Sequence, residues 1–152
     1  MQLKSPKPYL PKIMAGFPSP AEDFTELSIS LDQALIKNPP ATFMAYAEGD
    51  SMINIGIHHG DIVIVDRSLT PREGDVIVAV LEGEFLIKQF SNMGDEIKLI
   101  PHNSKYPIIY INENTDFQVW GVVAHSIRSY RWLPWLIAII FMPPVRESLD
   151  PS

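Results

Sequence analysis

Seven of the chain's 14 prolines fall within its first forty residues, at Pro6, Pro8, Pro11, Pro18, Pro20, Pro39 and Pro40. Each fixes φ and removes a backbone donor, so this stretch is denied a long helix or a central strand. It reads as an extended arm, residues 1–40, with one short helical piece at Ser30–Lys37, where Leu31, Leu35 and Ile36 share a face. From Ala41 the pattern changes. Thr42–Ala47, Asp61–Asp66, Asp75–Leu81, Glu84–Phe90, Glu96–Ile100, Tyr106–Ile111 and Phe117–Ile127 are short runs rich in β-branched residues. Turn formers separate them: Gly60-Asp61, Pro71 to Gly74, Glu82-Gly83 and Asn92 to Asp95. Many short strands with no helix between them predict an all-β barrel or sandwich over residues 41–130.

Residues 131–152 form a different tail. Trp132–Met142 is an apolar run of eleven residues, interrupted by Pro134. A spanning helix needs about 20, so the run is not expected to anchor the chain in a membrane. The chain has no cysteine, which excludes a disulfide framework, a thiolate nucleophile and a Cys-based metal site. A net charge of −6 argues against a protein that grips nucleic acid through its phosphates. The N-terminus is basic and proline-rich without an apolar centre, unlike a secretory signal, and the cytoplasm is the expected compartment.

One corner invites a chemical reading. In Ala47-Glu-Gly-Asp-Ser-Met52 a serine stands on a polar, glycine-marked stretch just ahead of a buried strand. A solvent loop explains the polarity; so does a nucleophile, provided a base activates it. His58, His59, His102 and His125 lack a carboxylate at a telling spacing, lack metal-ligand spacing, and read as surface or satisfied side chains. Lys88 is different. By strand alternation it shares a face with Leu86 and Phe90, while Phe85 and Ile87 cover the other. Either the strand is an edge and the ammonium reaches water, or the amine is desolvated, its pKa falls, and it can take a proton from a serine hydroxyl.

Three stretches together resemble the LexA/UmuD family of self-cleaving Ser-Lys peptidases. Gly49-Asp-Ser-Met52 followed by Gly60-Asp-Ile-Val-Ile-Val-Asp66 looks like the family's nucleophile motif. Gly83-Glu-Phe-Leu-Ile-Lys88 looks like the strand of its general-base lysine. Ala15-Gly-Phe-Pro-Ser-Pro20 looks like the cleavage site of the UmuD branch. Ile100-Pro-His-Asn-Ser104 and Val119-Trp-Gly-Val-Val123 extend the match, which runs from about Ile13 to Tyr130. The proline-rich arm leaves no room for the helix-turn-helix domain of LexA-like repressors. The apolar tail is a departure from the family pattern.

The resemblance implies a compact LexA-like fold and a self-cleavage reaction. Ser51 would attack the Ala15 carbonyl, Lys88 would act as base, and the Ala15–Gly16 bond would break without metal or cofactor. It implies stimulation by a RecA–single-stranded DNA filament, a homodimer, and a product that serves a UmuC-type DNA polymerase subunit in error-prone translesion synthesis during the SOS response. Sequence-specific DNA binding is not expected. The rival readings are a catalytically silent LexA-fold repressor or dimerisation module, and a signal-peptidase-like membrane protease.

Overall fold

The computed structural model describes residues 13–16 and 30–131. Most of the arm and the apolar run Trp132–Met142 lie outside the described residues. The first element, α1 (Leu31–Leu35), buries none of its side chains. Of the apolar face expected at Ser30–Lys37, Leu31 is exposed while Leu35 and Ile36 are half-buried. A short 3₁₀ turn at Pro39–Ala41 then leads into the sheet.

Seven strands follow: β1 (Thr42–Tyr46), β2 (Ile62–Asp66), β3 (Val76–Leu81), β4 (Glu84–Met93), β5 (Glu96–Ile100), β6 (Ile109–Ile111) and β7 (Phe117–Ile127). They form one antiparallel sheet in the order β1-β2-β7-β3-β4-β5-β6. The all-β expectation holds. Glu96–Ile100 and Phe117–Ile127 are strands over the spans read from sequence. β6 is shorter than Tyr106–Ile111, because Tyr106 is spent on a turn in which its amide N–H donates to the Asn103 carbonyl.

Alternation along β3 explains how one sheet encloses two cores. Val78 joins Ala47, Met52, Ile57, Val63 and Val65. Its neighbours Ile77 and Ala79 point the other way, onto Phe90, Leu99 and Val122. Such a strand is apolar on both faces, and Val76-Ile-Val-Ala-Val-Leu81 has that composition.

β7 is the long strand that joins the halves, lying between β2 and β3. Its register shifts on both sides. Opposite β2, Ile64 pairs with His125 and Val65 with Val123; opposite β3, Val78 pairs with Gly121 and Ala79 with Val119. Ala124 and Trp120 are the extra residues. Such bulges bend a strand and re-aim side chains. The bend brings β7 so close to β2 that a Cβ on Gly121 would stand 2.6 Å from Val65 Cγ1. Val65 is fully buried and cannot yield. Gly121→Ala is therefore expected to destabilise the fold by about 1–3 kcal/mol, read as a lower denaturant midpoint with an unchanged slope.

Candidate active site

The loop carrying Ser51 leaves β1 and returns into β2, and backbone bonds close its base. The Ala47 amide donates to the Asp61 carbonyl at 2.8 Å, and the Gly60 amide donates to the Ala47 carbonyl at 2.8 Å. Gly60 has φ 86°, in the left-handed region that glycine enters without a Cβ penalty. Met52 and Ile57, on the loop itself, are buried in the first core. Polar Ser51 is thus set between two anchors and stays partly accessible.

A second loop, after β5, holds the serine turn from the other side. The His102 amide donates to the Ser51 carbonyl at 2.8 Å, and the Asn54 amide donates to the His102 carbonyl at 2.9 Å. Asn103 Nδ2 donates to the Asp50 carbonyl at 3.0 Å, and the Tyr106 hydroxyl donates to the Asp50 carboxylate. That hydroxyl is the main cause holding the Asp50 carboxyl below its usual range, and the same bond pushes the Tyr106 phenol up. The residues flanking Ser51 are fixed from about fifty positions away, which no local pattern signals. The only sequence cue was the resemblance at Ile100–Ser104.

Lys88 stands on β4 opposite Ile77. Its Nζ lies 2.9 Å from Ser51 Oγ and donates to the Ile87 carbonyl at 3.0 Å. The side chain is buried, and burial pushes its ammonium pKa down from the ordinary lysine value. No carboxylate among the described residues forms an ion pair with it. Ser51 and Lys88, 37 positions apart, therefore share one cleft of about 450 Å³, whose walls include Tyr46, Ile57, Ile87 and Trp120. Among the described residues the Ser51 amide N–H donates to no protein acceptor.

The alternation along β4 holds for its apolar residues except one. Ile87 packs against the first core, while Leu86 and Phe90 lie with the second. Phe85 does not cover its face: it is 67% exposed and lines the cleft. Burial of Lys88 comes from the Ser51 loop and the cleft walls.

The histidines are engaged elsewhere. His59 Nδ1 accepts the Gly49 amide at 3.1 Å, and His102 Nε2 meets Gln89 Oε1 at 2.9 Å. His125 sits on β7 opposite Ile64. His58 contacts Arg128, the centre of a clamp that sequence reading missed. Arg128 Nη2 and Nε donate to the two carboxylate oxygens of buried Asp61 at 2.7 and 3.0 Å, and Nη2 also donates to the Gly56 carbonyl. The Arg128 hydrogen bond is the main cause holding the Asp61 carboxyl below its usual range. The clamp ties the end of the serine loop to the end of β7. Arg128→Ala would leave Asp61 buried without its strongest donor, at an expected cost of about 1–3 kcal/mol. Asp61 contributes stability above its unfolded pKa and loses it as pH falls through the depressed folded value. Acid unfolding of the variant should accordingly show a shallower pH dependence than that of the parent.

Ala15 and Gly16 fall within the short described segment 13–16, and both are exposed. Nothing lies within 4 Å of where a Gly16 Cβ would be. The pair is not among the residues that line the cleft. Among the described residues no three His, Asp or Glu side chains converge as metal ligands.

Comparison with known proteins decides the family. Residues 8–124 match the Peptidase S24-like family. The chain belongs to that family. Three relatives define where it sits among S24-like proteins. Protein SamA of Salmonella typhimurium is 42% identical over 117 residues, covering 77% of this chain and 81% of SamA. Protein MucA of Escherichia coli is 38% identical over 120 residues, covering 78% and 82%. LexA repressor 1 of Xanthomonas campestris pv. campestris is 36% identical over 122 residues, but only 60% of its length is covered. This S24-like chain is of the UmuD type. The additional length of the repressor has no match here.

Proposed function

We propose that this protein is a serine endopeptidase that cuts its own arm at Ala15–Gly16, with Ser51 as nucleophile and Lys88 as general base. The observation that carries the reading is the buried lysine amine 2.9 Å from the serine hydroxyl. In the neutral state the hydroxyl donates to the amine. Ser51 Oγ attacks the Ala15 carbonyl carbon as its proton passes to Lys88 Nζ. The tetrahedral oxyanion takes a hydrogen bond from the Ser51 amide, a type of contact worth about 2.7–4 kcal/mol. Collapse breaks the C–N bond, and the proton moves from Nζ to the Gly16 amine. Water then releases residues 1–15 from the acyl-serine, with Lys88 again accepting the proton.

The Ala15–Gly16 segment suits this role chemically. Both side chains are minimal, and glycine lets backbone approach a reactive pair closely. Because the segment is exposed, cleavage requires a conformation that brings it into the cleft. A factor that binds that conformation better accelerates cutting by population shift. We assign that part to a RecA–single-stranded DNA filament, and the processed protein, as a homodimer, to an error-prone polymerase subunit of the UmuC type in the SOS response. The cytoplasm is the compartment this role requires. No helix among the described residues is long and apolar enough to cross a membrane.

The test is incubation of purified protein at alkaline pH, where deprotonation of Lys88 replaces the activator, followed by mass spectrometry. The expected product begins at Gly16. N-terminal sequencing that finds another start would move the scissile bond.

A further inference from the structure

Gln89 follows Lys88 on β4, and in the ladder it stands opposite Ile100, the last residue of β5. There the pairing of β4 with β5 ends. The chain leaves the sheet through Pro101, and the next side chain reaches back to the same glutamine: His102 Nε2 lies 2.9 Å from Gln89 Oε1. The other end of the amide fixes the tautomer. Gln89 Nε2 donates to the Gly74 carbonyl at 3.0 Å. That leaves Oε1 as the acceptor, so His102 Nε2 carries the proton and donates it.

His102 is also held through its backbone. Its amide donates to the Ser51 carbonyl at 2.8 Å, and its carbonyl accepts the Asn54 amide at 2.9 Å. These contacts close a ring around the dyad. The ring runs from Ser51 Oγ to Lys88 Nζ at 2.9 Å, along one peptide to Gln89, through its amide to the His102 imidazole, and from the His102 amide back to Ser51. Neither Gln89 nor His102 lines the cleft, so neither is placed to touch a substrate. The Ser51–Lys88 contact is the link that acyl transfer undoes, because an acylated Oγ has no proton to give. The Gln89–His102 link is untouched by the reaction, and it carries the β4–β5 pairing past the end of the backbone ladder.

We propose that Gln89 and His102 are positioning residues: their side-chain hydrogen bond holds the Ser51 turn at its working distance from Lys88, before and after the hydroxyl is acylated. The assignment rests on the cleavage reading only for its effect on rate. Half of this strut is the residue next to the base, and the other half is the residue that grips the nucleophile's carbonyl. A displacement of the turn by about 1 Å is enough to cost on the order of 10²-fold in such a pair.

The experiment measures self-cleavage of the full chain against pH for the parent, His102→Met, Gln89→Met, the double variant and His102→Gln. Methionine keeps bulk and removes the bond, whereas glutamine at 102 keeps an N–H to donate. The plateau rate should fall about 10–100-fold in each methionine variant. The double variant should be no slower than the slower single, since both remove one bond, and His102→Gln should stay within a few-fold of the parent. A pair that only stiffened the loop would lower the unfolding midpoint and leave the plateau alone. Unchanged plateaus, equal losses in His102→Gln and His102→Met, or losses that multiply in the double variant would overturn the assignment. A parent that did not cut would sink the cleavage reading instead, and the strut is then judged by lysine ε-carbon NMR of the Ser51→Ala chain with and without His102→Met. Burial holds the Lys88 titration below the ordinary range. With the strut cut, the turn moves off the amine, water reaches it, and the titration should move up. An unmoved Lys88 titration would overturn the proposal.

Discussion

Ser51→Ala and Lys88→Arg are each expected to abolish self-cleavage, a loss on the order of 10⁴-fold or more, since members of such a unit fail together. Arginine is the sharper of the two. It keeps a positive charge and a long side chain, yet a guanidinium does not give up its proton in a protein. If Lys88 only held Ser51 in place through the 2.9 Å contact, arginine would retain much of the activity. If the amine is the base, arginine is as inactive as alanine. Circular dichroism should show an intact fold for each variant. Robust cutting by Lys88→Arg would return attention to the histidines, although His59 and His102 are engaged with Gly49 and Gln89.

The second large effect is in pH. Burial lowers the Lys88 pKa, and no ion pair among the described residues opposes it. Only the neutral amine accepts the serine proton, so unassisted cleavage should rise with pH and level off above that depressed pKa, short of the ordinary lysine value of about 10.4. Stability carries the same signature. Between the depressed folded pKa and the unfolded one, the unfolded chain binds the extra proton, so folding becomes more favourable as pH rises through that window. Lys88→Met removes the titrating group; its stability should lose this rise while its cleavage is nil. A flat cleavage profile in the parent, or an unchanged stability profile in Lys88→Met, would show that Lys88 is solvated and ordinary.

How much of this was legible in the sequence follows from the range of each interaction. Strand alternation and turn glycines are local, so the β runs and their order could be read directly, and Glu96–Ile100 and Phe117–Ile127 match to the residue. The extra residues at Trp120 and Ala124 leave no mark on an apolar pattern, so the bend of β7 and the crowding at Gly121 were invisible. At the site, Ser51 and Lys88 could be singled out by type, but each had a bland reading on its own residues, and the resemblance was what joined them; the structure puts them 2.9 Å apart. Their supports were not legible. Tyr106 to Asp50 and Arg128 to Asp61 join residues more than fifty positions apart, and nothing near either carboxylate announces its partner. Alternation left Lys88 open between an ammonium in water and a desolvated amine, and its burial against the Ser51 loop, 37 positions away, could not be read from the strand.

The order of the parts along the chain has a consequence for the time course. Ser51, Lys88, the loop at His102 to Tyr106 and the Arg128 clamp all lie downstream of Gly16. A cut at Ala15–Gly16 therefore discards substrate and leaves the catalyst whole. On the proposed mechanism, each molecule that has reacted would be an enzyme with its own arm no longer in competition for the cleft. If such products attack uncut neighbours, the progress curve starts slowly, steepens as product accumulates, and is shortened by seeding with processed protein. If every chain consumes only its own bond, the decay is a single exponential with a half-time that does not change on dilution.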